Sequence, residues 1–94
     1  MKIRTANPPT ELLAALEKQW LRLGYRSLNG LTLYNFVWLS GGPVGQVDYA
    51  GVFGDGSNCI YEWFIWRAGA LETSDSQWGS DESALRFVLN KVDA

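Results

Sequence analysis

Few side chains of this chain are of a type and spacing that could do chemistry. Asp48 and Glu62 fall on neighbouring strand-like runs, diagonal to one another in the register that the intervening turn suggests. Two carboxylates so placed can do general acid–base work when one of them loses its water. On a solvated face they are only charges, and that is the reading taken here. Asp55, with Gly54, Gly56 and Asn58, lacks the alternating acids and terminal Glu of a calcium loop and reads as a plain turn. Gly41-Gly42-Pro43-Val44-Gly45 is glycine-rich, but a strand follows it and no Lys-Ser/Thr completes a phosphate loop. The sequence contains no histidine, which removes Ser-His-Asp and Cys-His catalysis and most zinc sites. Cys59 is the only cysteine. It cannot build a metal cluster or an intrachain disulfide, and in a strand it reads as a small core hydrophobe. No enzyme activity, cofactor or metal is expected.

The elements that carry these residues can be read from composition and periodicity. A chain of 94 residues, 47 % hydrophobic and 19 % charged, supports a single domain over residues 1–94 with a compact core. Lys2 and Arg4 are not followed by an apolar signal region, and no apolar run approaches the ~20 residues of a membrane span. With no disulfide framework, the expected location is the cytoplasm. Asn7 caps a first helix over Pro8–Leu23, with Leu12, Leu13, Leu16, Trp20 and Leu23 as its apolar stripe and Gly24 as its left-handed stop. Three aromatic-rich strands follow, Leu31–Leu39, Val44–Phe53 and Asn58–Arg67, joined by short glycine turns that favour antiparallel hairpins. Ala68-Gly69 turns the chain into a short fourth strand, Ala70–Ser74. Ser80 then caps a second helix, Asp81–Val92, whose stripe is Ala84, Leu85, Val88, Leu89 and Val92. The fold class is therefore α+β, order α-β-β-β-(β)-α, an antiparallel sheet with both helices on one face.

Parity sorts the strand residues between two faces. With Trp38 opposite Val47 and Phe53 opposite Cys59, one face carries Tyr34, Phe36, Trp38, Tyr49, Phe53, Tyr61, Trp63 and Ile65, with no charge. Phe36, Tyr49 and Trp63 then form one cross-strand row. The other face carries Val37, Leu39, Gln46, Asp48, Val52, Glu62, Phe64 and Trp66. The uncharged face is expected under the helices, and the mixed one open.

The αβββα order resembles that of double-stranded-RNA-binding domains. Such domains open their second helix with a lysine cluster, and this chain has Ser80-Asp81-Glu82-Ser83 there. The stretch Trp66–Val92 is similar to a strand–turn–strand–helix unit of small bacterial domains and has no specific motif. Charge points the same way. Residues 1–30 carry a net +3, residues 31–82 a net −6, and the last twelve a net +1. An acidic sheet repels phosphate backbones and attracts basic surfaces. The expectation is a non-enzymatic protein–protein interaction module, a small inhibitor or modulator of a larger machine; one concrete form is an anti-defence protein of a phage or mobile element. Its partner is a protein, basic or nucleic-acid-binding, or a second copy of the chain, with no membrane or nucleic acid involved. The docking residues would be Trp66, Phe64, Leu39, Val37, Asp48 and Glu62 on the open face, with Glu72 and Asp75 in the acidic loop. Two alternatives are a nucleic-acid accessory using the basic side of the first helix, and a small-molecule site between helix and sheet.

Overall fold

Two amphipathic helices bury their apolar stripes against a sheet in a computed structural model of the chain. The structure describes residues 2–3, 8–24, 31–39, 48–74 and 76–93. The elements run β1 (Lys2–Ile3), α1 (Thr10–Arg22), β2 (Thr32–Leu39), β3 (Asp48–Asp55), β4 (Ile60–Arg67), β5 (Ala70–Thr73) and α2 (Asp81–Asp93). The five strands form one antiparallel sheet in sequence order. This is the expected α+β class and the expected order of the main elements, with a two-residue strand added in front.

The helix boundaries follow from the signals in the sequence. Gly24 sits at φ +98° just past α1, a conformation that costs a residue with a Cβ. Ser80 accepts from the Ser83 N–H at 3.1 Å and so caps α2. At the start of α1, however, the cap position is Pro9, with no side-chain cap. Asn7, expected to cap, lies outside the described residues, as do the turns around Leu28-Asn29-Gly30 and Gly41-Gly42-Pro43 and the strand residues 44–47.

The layering differs from the expectation. Leu12, Leu16 and Trp20 of α1 pack on Tyr49, Phe53, Phe64 and Trp66. Ala84 and Val88 of α2 pack on Ala50, Val52, Trp63 and Ile65. Alternate residues of one strand point to opposite faces, so α1 covers one face of the sheet and α2 the other. No open face exists over β3 and β4, and both strands are buried almost throughout.

The cause is register. Asp55 pairs with Ile60, and Phe53 pairs with Glu62 rather than with Cys59. Asp55 accepts from the Ser57 N–H and the Asn58 amide, holding a 3₁₀ turn over Gly56–Asn58, and Cys59 closes it at φ 53°. Gly54 stays in the strand, because a Cβ there would run into the Ile60 carbonyl and come within 2.9 Å of the Tyr61 Cα. The turn is therefore centred later in the chain than one over Gly54–Ser57, and the register of β4 slips by three residues. An odd slip moves every side chain of a strand to the other face. Tyr49 therefore pairs with Trp66, and the expected row of Phe36, Tyr49 and Trp63 does not form: Tyr49 and Trp63 face opposite helices. On the other side Trp38 pairs with Tyr49 rather than Val47, and a bulge lies between Tyr34 and Val37. The bulge sends Tyr34 to the α2 face, where its ring meets Tyr61 at 5.4 Å.

Candidate functional site

The residues expected to dock a partner are mostly interior. Phe64 is fully buried and Trp66 is 9 % exposed, both beneath α1. The exposure expected for Trp66 is thus corrected: it is a core residue. Asp48 and Glu62 are buried as well, and on opposite faces of the sheet, so they form no carboxylate pair. The Asp48 carboxylate accepts from the Ala68 N–H at 3.3 Å. It braces the two-residue turn at Ala68 and Gly69, which have φ 52° and 76°. Glu62 accepts from the Ser74 hydroxyl at 3.1 Å through Oε1, while its Oε2 has no partner among the described residues. Burial pushes this carboxyl above the usual range, against the opposing pull of the Ser74 hydroxyl. The side chains of Val37 and Leu39, and the whole of Asp75, lie outside the described residues. Glu72 is exposed on β5, as expected of the acidic loop.

Glu72 leads to a surface that was not anticipated. Ser80 starts α2 beside the sheet, and its apolar stripe Ala84–Val88 sets the rotation of the helix. That rotation turns Phe87 off the stripe, and Phe87 remains 44 % exposed. Beneath it lies Trp63 of β4, nearly parallel, with ring centres 5.8 Å apart. Beside it lies Trp78, with ring centres 5.1 Å apart. Trp78 is held in place because its backbone N–H donates to the Tyr61 carbonyl at 2.7 Å. One turn along α2, the Lys91 ammonium sits 5.3 Å over the Trp63 ring and 3.3 Å from Glu72. The ion pair is exposed and contributes about 0–1 kcal/mol, but it neutralises Lys91. The remaining acids nearby, Asp81 and Glu82 in the first turn of α2, lack such partners among the described residues.

The result is a ledge of three aromatic rings, one buried, one half-buried and one exposed, with Glu72 paired to Lys91 beside it and Asp81, Glu82 and Arg86 elsewhere on α2. Clustered rings with a polar rim are what interface anchors look like. It offers apolar area and ring faces. The described residues bring together no group of three His, Cys, Asp or Glu able to hold a metal. No described helix is long and apolar enough to cross a membrane. Sequence reasoning missed Phe87 because it counted only the residues on the α2 stripe, and Trp78 because it lies between β5 and α2, where no periodicity marks a side chain. The signal was there: a Phe off the stripe of an amphipathic helix is an apolar group without a core to enter. A comparison of the chain with protein-family models, curated proteins and solved structures finds no match in any of them.

Proposed function

We propose that this chain is a non-enzymatic binding module that inhibits or modulates a larger protein, docking through the Phe87–Trp78 ledge. The observation that supports this reading is the placement of Phe87: an exposed aromatic stacked on two tryptophans. Stacking fixes the ring before a partner arrives, so little side-chain freedom is lost on binding. With Glu72 and Lys91 paired, Asp81 and Glu82 against Arg86 leave a small negative balance that favours a partner with a basic rim around an apolar pocket. The same acids disfavour nucleic acid, whose phosphates they repel.

The test is affinity capture from the native host with three baits: the wild-type chain, Phe87→Ser, and Leu21→Ser as a control on exposed α1. Circular dichroism confirms that each is folded. The reading predicts a partner retained by wild type and Leu21→Ser and lost by Phe87→Ser. Truncating a central anchor costs 2 kcal/mol or more of binding, a loss of roughly thirtyfold. Equal capture by all three baits contradicts it.

A further inference from the structure

The α1 layer and the sheet part company at the start of β2. A groove of about 410 Å³ opens between them, with Leu16 and Leu13 of α1 on one side and Leu31 and Leu33 on the other. That volume lies within the range of small-ligand sites. The groove explains an exception in α1. Leu13 is on the apolar stripe of the sequence yet is 36 % exposed, because the wall it should meet stands back from it.

The polar groups of the groove are few. Glu17 lines it, half-buried, and among the described residues no cation pairs with its carboxylate. Among the described residues, no basic side chain lines the groove. A leucine-lined slot with one carboxylate discriminates between ligands by charge. An anion is repelled. A neutral apolar molecule gains only burial. An apolar cation gains burial and a charge-assisted hydrogen bond.

We propose that the groove is a binding site for a small organic cation, an aliphatic or aromatic body carrying an ammonium or guanidinium group. The body lies on Leu13, Leu16, Leu31 and Leu33, and the cation donates to Glu17. This site is separate from the aromatic ledge and stands or falls without it.

The probes are octylamine, octan-1-ol and octanoate, each below its micelle concentration. They are titrated into the full chain while the leucine methyl signals are followed by NMR. Octylamine is expected to shift the methyls of Leu13, Leu16, Leu31 and Leu33. It should bind roughly tenfold tighter than the alcohol, the scale of one hydrogen bond to a charged group, and tighter still than octanoate. Glu17→Gln should bring amine and alcohol to equal affinity. Leu13→Lys, which places a tethered ammonium at the groove, should exclude octylamine. The proposal is overturned if octylamine leaves those methyls unmoved or octanoate binds as well as the amine. It is equally overturned if either variant binds octylamine like wild type. Movement of the same methyls on dilution of the protein alone would assign the groove to a second copy of the chain and also overturn it.

Discussion

Glu62 is the residue whose position departs most from its chemistry. The residue is 3 % exposed, and its carboxyl has one hydrogen bond and one oxygen without a partner among the described residues. Its pKa in the folded protein is raised, chiefly by burial. A carboxyl with a raised folded pKa binds its proton more tightly folded than unfolded. Its contribution to stability is then fully present below the unfolded value, about 4.3, and is lost as pH rises through the folded value. The wild type should therefore lose stability relative to Glu62→Gln as pH rises above the unfolded value. Urea denaturation of both proteins over that rise measures the difference. Parallel stability curves would show that the carboxyl is not in an apolar setting. From the sequence, Glu62 read as a solvated charge because alternation assigns a strand's acids to water. Alternation fails when both faces are covered, and a buried carboxylate then looks the same as an exposed one.

At the scale of elements, turn chemistry decided what the sequence reading could see. The helices, the strand runs and the Ala68-Gly69 turn were legible because caps, stripes and glycine positions are local signals. Pairing was not. Counting from Gly54-Asp55-Gly56-Ser57 gives a tight turn, whereas Asp55 builds a 3₁₀ turn and Cys59 adopts φ 53°, and one odd slip exchanged the faces of β4. The runs Tyr49–Phe53 and Trp63–Trp66 carried a warning. Nearly continuous apolar strands are those buried on both faces. Two measurements check this level. Ala68 sits in the left-handed region in a two-residue hairpin turn with Gly69. Asn-Gly suits such a turn better, so Ala68→Asn should stabilise by about 0.5–1 kcal/mol in thermal denaturation. A loss of stability there would contradict the assigned turn. Leu16 lies under α1 and Ile65 under α2. Leu16→Ala should cost about 2–5 kcal/mol and Ile65→Val about 0.5–1.5. The double variant should lose the sum of the two within about 0.5 kcal/mol, because the sheet separates the sites. Strong coupling would place both residues in one core.

At the scale of the whole molecule, covering both faces of the sheet moves any docking surface outward. The sequence pointed to an acidic, aromatic-rich protein with no catalytic groups, and its exposed Glu72 borders the ledge. It could not show that Trp66 is consumed by the core while Phe87, on a helix, is not. That distinction depends on how α2 is rotated against the sheet, which is set by Ala84 and Val88 together with the faces of β3 and β4. The most direct measurement is site-specific photo-crosslinking in the native host, with benzoylphenylalanine placed at position 87 and, separately, at position 21 on the outer side of α1. The account predicts a discrete, heavier adduct from position 87 that persists when lysate protein is diluted, and none from position 21. An adduct from position 21 with position 87 silent would contradict it.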